Sequence, residues 1–211
     1  MKKFAALLFA GTFLPLMALD FDFTANPPTA KGKVPMLKLD DSLKIGGTNG
    51  RTALNFDGKS KIQVPGSDFL SLDNGLTVAI EIDSKDKGDG KNLQMIILKR
   101  NEWCLYRSGS QLSFLWKSGK KWLAVYRKNM NFDTPHKFVL TLTEDRKLNF
   151  HLDGKHVRVV KLDNFDAPNK QSKEVITLGG GWNNWDFKGD IYQLKILNKV
   201  WDKEEIQEFF K

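Results

Sequence analysis

ITLGGGWNNWDFKGDIYQLKILNKVWDKEEIQEFFK, residues 176–211, is the stretch on which the fold turns. Ile176, Thr177 and Leu178 favour a strand, and three glycines, Gly179, Gly180 and Gly181, stop it. A loop carrying Trp182 and Trp185 follows, then Phe187-Lys188-Gly189-Asp190 and a long strand over residues 191–197. The chain closes with a helix whose start is specified locally. Asp202 stands at the N-cap and Glu205 three residues on, the two halves of a capping box. Trp201 and Ile206 occupy the places of a hydrophobic staple. Ile206, Phe209 and Phe210 share one face, which predicts docking onto a sheet. Glu204 and Glu205 lie where the helix dipole favours negative charge.

Upstream of this block the same grammar repeats without helices. Residues 20–24 alternate polar and apolar and read as a first strand, and residues 25–33, with Pro27, Pro28 and Gly32, as a loop. Residues 37–45 hold one or two short strands, and residues 46–50 (GGTNG) a turn. Residues 53–56 and 61–64, joined by Asp57-Gly58-Lys59-Ser60, predict a hairpin. Residues 76–83 (LTVAIEID) are the clearest strand. Leu76, Val78, Ile80 and Ile82 face one way, and Thr77, Ala79, Glu81 and Asp83 the other. A polar loop over residues 84–91 leads to strands at 94–99, 102–106, 111–116 and 122–127. A meander follows over 138–143, 148–152 and 157–162, with Asp153-Gly154-Lys155 as a strong hairpin signal. Residues 164–173 read as a polar loop. Roughly a dozen strands with turn signals about every 8–12 residues and one helix predict a two-sheet antiparallel sandwich rather than a parallel α/β fold.

The chain has 211 residues, 41% hydrophobic, a size that one sandwich fills. Lys2 and Lys3, an apolar run of about 14 residues and the small Ala18 form a secretory signal pattern, shorter than the roughly 20 residues of a membrane span. Residues 1–18 are therefore expected to be a leader and residues 19–211 one domain, secreted or periplasmic, with no transmembrane segment after cleavage. The formal charge of +8, reduced by two when the leader leaves, suits an anionic glycan or cell surface rather than nucleic acid. Cys104 is the one cysteine, so no internal disulfide forms. Its neighbours Trp103 and Leu105 mark a buried thiol.

Several blocks together resemble a known family. Ala53-Leu54-Asn55-Phe56-Asp57-Gly58 with Ile62-Gln63-Val64-Pro65, the strand at 76–82, the hairpin at 138–143 and 148–155, and Leu178-Gly179-Gly180, Phe187-Lys188-Gly189, 191–198 and 201–206 follow the order and spacing of laminin-G-like domains of the concanavalin A-like lectin/glucanase superfamily. The resemblance covers nearly all of residues 20–211. It implies an all-β, two-sheet antiparallel jelly-roll sandwich with a short C-terminal helix, often exported, serving carbohydrate or protein binding. It also implies a structural Ca²⁺ in many members, with a carboxylate where this chain has Tyr192. Asp190, Asp20 and Asp22 remain as oxygen donors there. The expectation is no cofactor, with Ca²⁺ as the alternative.

The glucanases of the same group carry E-x-D-x-x-E, two carboxyls about 5–5.5 Å apart in a retaining mechanism. Glu81-Ile82-Asp83-Ser84-Lys85-Asp86 begins that way but ends one methylene short, with Ser84 and Lys85 at apolar places. No catalytic residue is predicted. His136, His151 and His156 lack metal-ligand spacing and read as structural or exposed. Binding is better supported. Six tryptophans is a high count for this length. Sugars dock their C–H face on aromatic rings while amides and carboxylates bond the hydroxyls. Trp182, Asn183, Asn184, Trp185 and Asp186 supply both kinds of group, unless either tryptophan tucks beneath the loop. Trp116 and Trp122, flanking the 117–121 turn, are a cross-strand pair or part of a binding face with Lys120 and Lys121. Trp103 and Trp201 are assigned to packing. The expected partner is a carbohydrate or cell-surface glycan, with another protein as the alternative.

Overall fold

The computed structural model describes residues 18–22, 29–31, 44–45, 51–64, 75–86, 93–118, 120–161 and 174–211. The chain runs through β1 (Ala18–Asp22), β2 (Thr29–Lys31), β3 (Lys44–Ile45), β4 (Leu54–Asp57) and β5 (Ile62–Val64). It continues with β6 (Leu76–Ser84), β7 (Leu93–Lys99), β8 (Trp103–Ser108), β9 (Gln111–Ser118) and β10 (Lys121–Arg127). Then come β11 (His136–Leu142), β12 (Lys147–Leu152), β13 (Lys155–Lys161), β14 (Ile176–Leu178), β15 (Lys188–Leu197) and α1 (Lys203–Phe210).

The strands form two antiparallel sheets, as their alternation predicts. One has the order β13-β12-β11-β6-β15-β1-β2, with β4 also on β15 and β3 on β4. The other has the order β10-β9-β8-β7-β14-β5. Their inner faces meet in one core. Leu54, Phe56, Ile82, Phe138 and Phe150 come from the first sheet, and Ile97, Trp103, Phe114, Trp116 and Val125 from the second. Trp103 stacks on Phe114 with ring centroids 5.8 Å apart, and Phe114 on Trp116 at 6.4 Å.

Three local expectations change. Residues 53–64 do not form a hairpin, because β4 pairs with β15 and β5 with β14, in opposite sheets. The Asp57 turn is a corner that carries the chain from one sheet to the other while Phe56 and Ile62 both point into the core. Asp57 Oδ1 holds it by accepting from the Lys59 and Ser60 amides and the Ser60 hydroxyl. Within the 25–33 loop, Thr29–Lys31 is a short strand on β1. The first strand starts at Ala18, two residues earlier than expected, and is described as far as Asp22. The leader apart from Ala18, the 46–50 turn and the loop at 164–173 lie outside the described residues.

The alternation of β6 holds, yet all nine of its residues are buried. Its outer face is covered as well. Ala79 packs with Val139 and Phe209 beneath α1, joined by Trp201, Ile206 and Phe210. Farther along the same face, Glu81 takes two hydrogen bonds from Arg51, at 2.5 and 2.9 Å. The capping box forms as read. Asp202 accepts from the Glu205 amide at 2.8 Å, and Glu205 from the Asp202 amide at 3.1 Å. The outer face of the first sheet is thus covered at β6, while Trp122, Tyr126 and Trp182 are exposed on the side of the second sheet, which is the place to look first for a binding site.

Candidate binding face

The outer face of the second sheet is built by strand parity. On β8, Trp103 and Leu105 enter the core, so Cys104 and Tyr106 point outward. On β9, Leu112, Phe114 and Trp116 enter, so Ser113, Leu115 and Lys117 point outward. On β10, Leu123 and Val125 enter, so Trp122, Ala124 and Tyr126 point outward. A small apolar cluster lies on this face: Met95, Leu98 and Cys104, with Tyr106, Leu115 and Trp185 packed against them.

Trp185 arrives there on the loop between β14 and β15. Asn183 and Asn184 both have left-handed backbones, with φ of 49° and 60°. The Trp185 amide donates to the Trp182 carbonyl at 2.8 Å. This is a type I′ turn, and asparagine is the non-glycine residue that best tolerates its two positive φ angles. The turn puts Trp182 and Trp185 at its two ends, ring beside ring, 6.0 Å apart and 21° from parallel. Backbone bonds fasten it to the sheet: Met95 donates to the Trp185 carbonyl at 2.6 Å, Gly179 to Ile96 at 3.0 Å, and Phe187 to Gly179 at 2.9 Å. Gly179 is required here. Its φ is +85°, and a Cβ would sit 2.3 Å from the Phe56 ring.

The two rings extend into a row. Tyr106 lies 5.8 Å from Trp185, and Trp122 lies 5.8 Å from Trp182. Tyr106, Trp185, Trp182 and Trp122 therefore run across the face, sunk at the Tyr106–Trp185 end and open at the other. Trp182 is 36% exposed and Trp122 37%. Lys117 stands beside the open end, its Nζ 6.0 Å from the Trp122 ring centre. Tyr126 follows on the same strand with Lys128 Nζ 5.4 Å from its ring. At the loop's far side Asp186 pairs with Lys61 at 2.8 Å.

Of the residues expected to bind, Trp182, Asn183, Asn184, Trp185, Asp186 and Trp122 come together around this row. Asn183 and Asn184 are exposed at the turn tip, while Trp185 is half-buried. Trp116 does not join them. It is fully buried in the core. The register pairs Trp122 with Lys117 and Trp116 with Leu123, so the two tryptophans point to opposite faces and are neither a cross-strand pair nor one surface. The cation near Trp122 is Lys117 rather than Lys120 or Lys121. Tyr106 and Lys117 were missed, although strand alternation beside Trp103 and Trp122 carries the signal for both.

The other chemical groups are occupied. Burial pushes the Cys104 thiol up to about 12, slightly opposed by a hydrogen bond with the Leu115 backbone. Asp83 pairs with Lys85 at 2.6 Å, and both Glu81 oxygens are taken by Arg51. The Tyr192 ring, at the position where the resemblance implies a calcium-binding carboxylate, lies 4.2 Å beneath the Arg51 guanidinium. The buried Asp190 accepts from Asn55 at 2.7 Å. A guanidinium over a phenol ring does not suit an ion that wants six to eight oxygens.

This architecture is a two-sheet antiparallel β-sandwich with a capped C-terminal helix. A family model described as the concanavalin A-like lectin/glucanases superfamily, of laminin-G type, matches residues 56–207, and the chain belongs to that family. No curated protein matches it in sequence. Among solved structures it is similar to the botulinum neurotoxin serotype G binding domain, at TM-score 0.74 and 12% identity over 92% of this chain and 50% of that one. It is similar to the binding domain of Paraclostridial Mosquitocidal Protein 1, at 0.76 and 11% over 93% and 52%. It is also similar to the binding domain of botulinum neurotoxin DC in complex with rat synaptotagmin II, at 0.70 and 14% over 91% and 50%. The chain spans about half of each of these structures, and the likeness is one of fold. Among the described residues no helix is long and apolar enough to cross a membrane.

Proposed function

We propose that this chain is an exported, non-catalytic binding module that docks a glycan on the aromatic row of its second sheet, with a preference for acidic chains. The single observation behind this is the open half of that row: two exposed indoles, Trp122 and Trp182, in ring contact, with Lys117 beside them. Indole faces take the C–H face of a pyranose, Asn183 and Asn184 offer amides at the rim, and Lys117 and Lys128 favour a carboxylate or sulfate. The similar solved structures are binding domains, which supports a binding role without naming a sugar.

A glycan array of neutral, uronate, sulfated and sialylated chains tests the proposal, followed by titration of the best ligand. Trp182→Ala and Trp122→Ala are expected to weaken binding about five- to hundredfold, from the loss of roughly 1–3 kcal/mol per ring contact. Their thermal midpoints should move little. Binding that is indifferent to both substitutions, or absent from every glycan class, overturns the proposal. A protein partner on the same row is the second reading, favoured by the neighbour solved with synaptotagmin II. Capture of a cell-surface protein that survives deglycosylation and is lost in Trp182→Ala selects it over the first.

A further inference from the structure

His151 and His156 face each other across the β12–β13 hairpin, directly paired in register, beside a bulge at Phe150 and His151. Their ring centres are 4.9 Å apart and their planes 65° from parallel. They border a groove of about 450 Å³ between this hairpin and α1, lined also by Thr141, Asn149, Trp201 and Phe210. Neither the binding face nor the core uses either ring.

We infer that His151 and His156 form a site for a divalent late transition-metal ion, Zn²⁺, Cu²⁺ or Ni²⁺, at the edge of the groove beneath α1. Two imidazoles on one ion, each with its nitrogen about 2.0–2.1 Å from the metal, have ring centres roughly 4.5–5.2 Å apart, from right-angled to tetrahedral geometry. The observed 4.9 Å falls inside that interval. Imidazole selects these metals over calcium or magnesium, which prefer oxygen. The ligand form is the neutral ring. Among the described residues no third His, Cys, Asp or Glu completes a ligand group. The remaining positions therefore go to water, for which the groove has room, and binding is weaker than at a closed structural site. The bound ion would pin the hairpin turn under the end of α1, where a Cβ on Gly154 would lie 3.9 Å from Phe210. The site is independent of the glycan reading.

The test is calorimetric titration of the purified, tag-free chain with ZnCl₂ and NiCl₂ in a non-coordinating buffer near neutral pH. One ion per chain is expected, with His151→Gln and His156→Gln each weakening it by about tenfold or more, and His136→Gln leaving it unchanged. In the unsubstituted protein, the ring resonances of His151 and His156 should shift together on adding Zn²⁺, a readout that does not depend on variants folding. No saturable binding below millimolar metal, or binding that survives both substitutions, overturns the inference and leaves the ring contact as packing. Equal loss in His136→Gln overturns it too, by moving the ion to His136, whose Nδ1 lies 2.7 Å from Asp153 Oδ2.

Discussion

Two tryptophans six residues apart, Trp116 and Trp122, carry opposite duties. Trp116 fills the core against Phe114, and truncating it leaves a cavity between two sheets that cannot collapse onto it. Trp116→Ala is expected to cost about 3–5 kcal/mol in denaturant unfolding. Any effect on ligand binding should follow only from the lost stability. Trp122→Ala and Trp182→Ala should show the reverse pattern. If Trp116→Ala is nearly neutral in stability, the register that separates these residues is wrong. The count of six tryptophans pointed to binding, and Trp116 was placed with Trp122 among the candidates while Trp103 and Trp201 were assigned to packing. What sorts them is which neighbour each one opposes, and one residue of slip reverses the answer.

At the scale of elements, the Asp57 corner shows what a short signal leaves open. Asp-Gly between two β runs usually closes a hairpin, and here it turns the chain between sheets. The turn chemistry was legible, but the partners of β4 and β5 were not, because β14 and β15 come more than a hundred residues later. Asp57 accepts three hydrogen bonds there. Those from the Ser60 and Lys59 amides chiefly hold its carboxyl below the usual 3.8, against a small opposing effect of burial. A carboxyl whose folded pKa is lowered stabilises the fold above its unfolded pKa, and that stabilisation disappears as pH falls through the folded value. The stability advantage of the native chain over Asp57→Asn should therefore be full at neutral pH, shrink below about pH 4 and vanish in stronger acid. Urea midpoints of the two proteins across acid pH measure it, and a gap that does not change with pH removes this role from the carboxylate. The terminal helix was fully legible by contrast, since its capping box and staple are spelled within a few residues. From the sequence, Asn183 and Asn184 read as amides for a ligand's hydroxyls, and the type I′ turn they make was not legible. The two asparagines do their first work in the backbone, by setting Trp182 beside Trp185.

At the scale of the whole molecule, the first sheet is covered over β6 by α1 and the Arg51–Glu81 pair. The second keeps an open outer face, and cations stand around it: Lys117, Lys128 and, paired to Asp186, Lys61. With a formal charge of +8 on the full chain, attraction for an acidic glycan should fall as salt rises. The screening length shrinks from about 10 Å at 0.1 M to about 3 Å at 1 M. Titrations of a uronate or sulfated chain against a neutral one should diverge at low salt and converge at high salt. Equal salt dependence for both would remove the acidic preference while leaving the aromatic row in place.

The sequence by itself determined the all-β class, the family, the terminal helix with its caps and the buried thiol. Each is encoded by local periodicity, by capping chemistry or by blocks in a set order. Only the tertiary structure decided which tryptophans share a surface, that β4 and β5 part into different sheets, and that Tyr106 and Lys117 belong beside Trp185 and Trp122. Those facts depend on pairings between strands far apart in the chain, where parity and register rather than residue type set the direction of each side chain.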